Sequence, residues 1–139
     1  MLLGLVFVGL ELRQNTAAVE ASTIQSLTDA SSSYLLTIAS DTELTRIIAT
    51  ASANPNELNE LDAARLFFVN RSYWVRMQNA YSQWQRGTLS DDDWALYDAI
   101  LCNFGEGLDS SSGVIDSFKK HHLILTTEFR KFMEACLDI

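Results

Sequence analysis

One proline, Pro55, and six glycines are all that the 139-residue chain carries to break or turn its backbone. Such scarcity excludes a turn-rich β architecture and favours long helices. Period-two alternation is missing as well: no stretch sustains it long enough to make a strand. Two cysteines, Cys102 and Cys136, are too few for a disulfide scaffold and show no metal-ligand spacing. Both are expected as ordinary buried thiols. Basic residues number 10 against 18 acidic ones, for a net charge of −8. That balance argues against nucleic-acid binding, which needs phosphates neutralised by Lys and Arg. It also argues against adhesion of the folded surface to anionic lipid. No apolar run reaches the roughly 20 residues of a membrane-spanning helix.

What is present is an apolar start. Residues 1–10, MLLGLVFVGL, carry no charge, and polarity switches on abruptly at Glu11. A secretory signal would show a basic flank and a small-x-small cleavage site. Here no Lys or Arg precedes Arg13, and no such site follows. Two readings remain: a core or dimer helix, or the C-terminal part of a membrane anchor that begins further upstream. The second accounts for Val6, Phe7, Val8 and Leu10, which cover the whole circumference of a helix. The expected division is therefore 1–10 as an anchor segment and 11–139 as one helical domain. Gly4 and Gly9 are five apart and do not form the GxxxG pairing motif. An apolar segment left without lipid is also expected to pair two copies of the chain.

Apolar content of 47% and charged content of 20% mark a folded globule, and the length suits one domain with a core. From Leu12 an apolar series steps by three and four through Thr16, Val19, Thr23, Leu27, Ala30, Tyr34 and Ile38, which predicts one long first helix. Ser40-Asp41-Thr42-Glu43 reads as a capping box, with Ser40 as N-cap of a second helix. Asn54-Pro55-Asn56 turns the chain. Asn56 or Asn59 opens a long third helix to Gln85, closed by Gly87. Its inner stripe is expected to be Leu61, Ala64, Phe67, Phe68, Arg71, Trp74, Val75, Met77, Tyr81 and Trp84. Ser90 and the three carboxylates Asp91, Asp92 and Asp93 start a fourth helix, which runs to Phe104. A loop around Gly105-x-Gly107 and a short helix over 114–121 follow. Thr126 or Thr127 caps the last helix. No repeat or internal boundary is visible. The fold class is all-α: a long N-terminal helix packed into an antiparallel bundle of about five or six helices.

No constellation of reactive groups stands out. The stripe Phe67, Trp74, Tyr81, Trp84 reads as core before it reads as the wall of a ligand cavity. Arg71, at its edge, calls for a carboxylate partner within the chain or an anionic ligand. Arg65 and Arg76 share a face and are expected to meet acidic residues of a neighbouring helix. His121 and His122 diverge by about 100° on a helix and do not chelate together. Asp91–Asp93 lacks the rest of a calcium loop. Gly105-x-Gly107 lacks a preceding strand and is no phosphate cradle. No metal, no cofactor and no catalytic residue are expected. Nothing points to an enzyme.

The opening VFVGLELRQNT (residues 6–16), followed by AAVEAST, resembles a group of small bacterial helical proteins frequent in marine and other environmental genomes. In these an N-terminal membrane helix runs into a (Q/E)xRQNT element. The stretch NAYSQWQRGTLSDDDW (residues 79–94) resembles the same group's helix–turn–helix. After Gly107 the chain departs from the group, with a Ser-rich loop where a Trp-containing segment is frequent. The resemblance implies membrane anchoring and brings no catalytic residue. The expected function is a membrane-anchored, non-enzymatic helical module acting through protein contacts or as a sensor. Its expected place is the bacterial inner membrane, with the domain cytoplasmic, because Arg13 flanks the apolar run. The alternative is a soluble bundle that binds a small apolar or anionic ligand between its helices, at Arg71 with Trp74, Tyr81 and Trp84.

Overall fold

The structure, a computed structural model, describes residues 2–103 and 111–139, with side chains from Phe7 to Asn103 and from Gly113 onward. The described residues form six α-helices and two short 3-10 helices, Pro55–Glu57 and His122–Ile124, with no strand. They are α1 (Leu2–Ser40), α2 (Thr42–Ala53), α3 (Glu60–Gln85), α4 (Asp91–Cys102), α5 (Ser111–His121) and α6 (Thr127–Leu137). The chain is an all-α bundle, as its shortage of helix breakers implies. The expected Gly105–Gly107 loop and the end of the fourth helix at Phe104 lie outside the described residues.

Helix boundaries follow local capping chemistry. Asn59 holds α3, accepting from the Asp62 amide at 2.9 Å. Ser90 holds α4, accepting from the Asp93 amide at 3.1 Å while its hydroxyl donates to the Asp93 carboxylate. Thr126 caps α6. After α3, Gly87 adopts φ 70°, the left-handed conformation that costs glycine least. The Gly87 amide then reaches the Trp84 carbonyl at 2.9 Å, and the Thr88 amide reaches Gln83 at 3.0 Å. That pair of bonds is the Schellman closure. One cap differs from expectation. Asp41, not Ser40, caps α2, accepting from the Leu44 amide at 3.1 Å. Ser40 remains in the last turn of α1, whereas Asp41 has the extended backbone an N-cap requires.

The main core lies among α3, α4, α5 and α6. Trp74, Met77, Ala80 and Tyr81 of α3 meet Trp94 and Leu101 of α4, Phe118 of α5, and Phe129 and Met133 of α6. Trp94 is stacked between Trp84 and Tyr97, with near-parallel rings 5.0 and 6.1 Å away. The Trp74 indole, 1% exposed, donates to Ser117 Oγ at 2.9 Å, so burial leaves no donor unsatisfied. The expected inner stripe of α3 divides in two. Trp74, Met77 and Tyr81 are buried, while Leu61, Phe68 and Val75 are exposed. Leu61, Phe68 and Val75 recur every seven residues, which keeps them on one face, opposite the core.

Cys102 and Cys136 are disulfide-bonded, with Cα atoms 4.9 Å apart, and not free thiols. Their 34-residue separation shows nothing at sequence level. Pairing follows from the packing of α4 on α6.

Helix α1 is 39 residues, about 58 Å, long. The domain covers only its C-terminal half: Leu27 is buried, and Thr23, Tyr34 and Ile38 are half-buried. Every described side chain from Phe7 to Val19 is exposed. Leu12 and Val19, expected within the packed series, therefore belong to a projecting arm. Among the described residues no helix is long and apolar enough to cross a membrane.

Candidate functional site

The face of α3 turned away from the core has a distinct charge. Residues 63–90 hold four arginines, Arg65, Arg71, Arg76 and Arg86, and no carboxylate, in a chain of net charge −8. Three of the four line an open groove of about 770 Å³, whose floor is α3 and whose wall is Ala30 and Tyr34 of α1. The exposed Val75 side chain lies between Arg71 and Arg76, and the exposed Phe68 ring lies beyond Arg71. A second groove of about 400 Å³ shares Ala30, Tyr34, Phe68 and Ser72 with the first. It is more apolar and extends to Ile38, Leu44 and Val69. The two make one channel, cationic at one end and apolar at the other.

Arg76 is the anchored cation. Its guanidinium lies 4.1 Å from the Tyr34 ring centroid and 5.7 Å from that of Tyr73. One terminal nitrogen donates to the Ser31 carbonyl at 3.5 Å, and Nε is buried without a hydrogen-bond partner. Burial pushes the Tyr34 hydroxyl above its ordinary acidity range, and the adjacent Arg76 charge pulls it partly back. The carboxylates expected opposite Arg65, Arg71 and Arg76 are not there among the described residues. Both ion pairs belong to Arg46, which meets Glu43 at 2.7 Å and buried Asp62 at 2.8 Å. The reason is the neighbour: beside Arg71 and Arg76, α1 presents Ala30 and Tyr34 and no acid.

The four residues singled out from sequence do not converge. Arg71 lines the groove. Trp74 and Tyr81 lie in the core on the other side of α3. Trp84 is half-buried, and its indole donates to the Asp91 carboxylate at 2.7 Å. Nor do the histidines converge. His121 is buried against Phe67, with its ring nitrogens 2.7 Å from the Ser117 carbonyl and 3.1 Å from that of Phe67. His122 turns to the Lys119 carbonyl. One group with metal-ligand composition exists among the described residues: Asp98, Cys102 and Cys136, with donor atoms within 4.8 Å. Its sulfurs are bonded to each other and so are not thiolate ligands. The groove itself was missed from sequence. Its available signal was the acid-free, arginine-bearing run 63–90; its wall became visible only once α1 lay beside α3.

Architecture and site together define an all-α bundle with a projecting first helix and a basic groove at that helix's base. The chain matches no protein-family model, and neither curated proteins nor solved structures give a match.

Proposed function

We propose that the chain is a membrane-anchored, non-enzymatic helical module that acts through protein contacts. The observation that supports this is the arm of α1: Phe7, Val8, Leu10 and Leu12 are all half or more exposed on a helix the domain does not cover. Apolar residues on every side of an uncovered helix suit a surrounding solvent of lipid. The partner of this arm is the hydrocarbon edge of a bacterial inner membrane, and Arg13 just beyond it favours a cytoplasmic domain. At net charge −8 the domain is repelled by anionic headgroups, so attachment rests on apolar contact and not on surface charge.

Vesicle flotation tests the reading. With phosphatidylcholine vesicles the full chain is expected in the lipid fraction, and Phe7→Glu/Leu10→Glu in the lipid-free fraction. A wild-type chain that stays out of the lipid fraction overturns it.

A further inference from the structure

We propose that the channel between α1 and α3 is the docking site for an acidic, amphipathic helix of a partner protein. This deepens the protein-contact part of the function above and does not depend on the arm entering lipid.

Charge selects the partner's sign. Arg71, Arg76 and Arg86 face one groove, and none has a carboxylate partner among the described residues. The chain as a whole is acidic, so acidic partners are repelled from most of the surface and drawn to this strip. Shape selects its size. Arg71 of α3 and Arg86, the residue that caps its C-terminus, are 15 residues apart, about 22 Å along the axis. An inorganic anion reaches one or two of these groups. Sites for small molecules enclose most of the ligand's surface, and this groove is largely open. A helix of about 15 residues has the required length, and at roughly 10 Å across it fits an open channel.

The lining selects the pattern. Val75 (47% exposed) offers apolar contact between Arg71 and Arg76, Phe68 (65% exposed) offers it beyond Arg71, and the channel's apolar end continues to Ile38 and Leu44. The matching partner carries apolar residues at helical spacing on one face, flanked by Glu or Asp, the helix-in-groove mode. Tyr34 and the Ser31 carbonyl already hold the Arg76 guanidinium, which lowers the ordering cost of using it. Position disfavours a lipid headgroup as occupant. Ala30 lies 20 residues beyond Leu10, about 30 Å up α1 from the apolar arm.

The probe is a fluorescein-labelled peptide of about 18 residues, with Leu on one helical face and Glu flanking it; a Lys-for-Glu twin is the control. Anisotropy is read on the full chain at low and high salt. The Glu peptide is expected to bind and the Lys twin not to bind. Raised salt is expected to weaken binding by about tenfold, as for exposed charges. Arg71→Glu/Arg86→Glu, at two exposed positions, is expected to weaken it by at least about tenfold with an unchanged melting midpoint. If that variant melts early, Arg71→Gln/Arg86→Gln replaces it, with the same direction expected. Three results overturn the proposal: no binding of the Glu peptide, equal binding by wild type and charge variant, or full displacement by millimolar inorganic phosphate, which would make the groove a small-anion site. Flotation reads the arm and anisotropy reads the groove, so either reading can fail alone.

Discussion

Arg46 and Arg76 are one residue type in opposite surroundings. Arg46 is solvent-exposed, and hydrogen bonds to Asp62 and then Glu43 raise its affinity for its proton. Arg76 lies on Tyr34 and meets no carboxylate among the described residues. The consequence at Tyr34 can be measured. Burial raises its hydroxyl above 10.0, the value it has in an unfolded chain, and Arg76 lowers it by less. The folded state therefore keeps its phenol proton where the unfolded state has lost it. Stability from this group is complete below pH 10.0 and is lost as pH rises through the folded value. Denaturant midpoints below and above that pH are expected to fall less for Tyr34→Phe than for wild type. Identical falls would show that Tyr34 titrates as it does unfolded. Among the described residues the acids stand beside Arg46 and not beside Arg65, Arg71 or Arg76, because ion pairing is set by which helix packs where. Arg46 and Asp62 are 16 residues apart and meet only through the contact of α2 with α3.

Helix limits were legible because capping is local. Asn59, Gly87, Ser90 and Thr126 each act within a few residues of themselves, so the pattern along the chain carries the information. The faces of α3 were less legible. Phe68 and Trp74 are both large aromatic residues at helical spacing, and only the placement of α4, α5 and α6 decides that Trp74 is inside. Pairing of Cys102 with Cys136 was invisible for the same reason: it joins α4 to α6 across 34 residues. Its effect is calculable from that separation. Closing a loop of this length in the unfolded chain is worth about 4 kcal/mol in the chain-entropy model. Reduction, or Cys102→Ser/Cys136→Ser, is expected to lower the melting midpoint by roughly 10 °C, using the shift per kcal/mol for domains of this size. An unchanged midpoint under reductant would mean that packing of Phe129 and Met133 already holds α6 in place.

Over the whole molecule, hydrophobic pattern and charge separate into three regions. A core joins α3 to α6, a basic channel runs on the reverse of α3, and an apolar arm extends from α1. The arm's apolarity was plain in the first ten residues; that it stands clear of the domain was not, since a periodic series from Leu12 to Ile38 looks equally able to pack throughout. Out of lipid, the exposed arm creates an association surface. Val8, Leu12, Asn15 and Val19 step by four, three and four, which sets them within about 60° on one face. Such spacing is a coiled-coil seam, and a single Asn within it favours one register. The helix is already formed at these positions, so pairing needs no new nucleus. Burying the exposed Val8, Leu12 and Val19 gains on the order of 1 kcal/mol each per chain, against the cost of association. A two-fold dimer is the closed solution. Light scattering without detergent is expected to give a dimer for the full chain and a monomer for Val8→Glu/Leu12→Glu. These positions lie across the helix from Phe7 and Leu10, so the pair tests the seam separately from the flotation variant. A wild-type monomer at every concentration would leave bilayer contact as the arm's sole association.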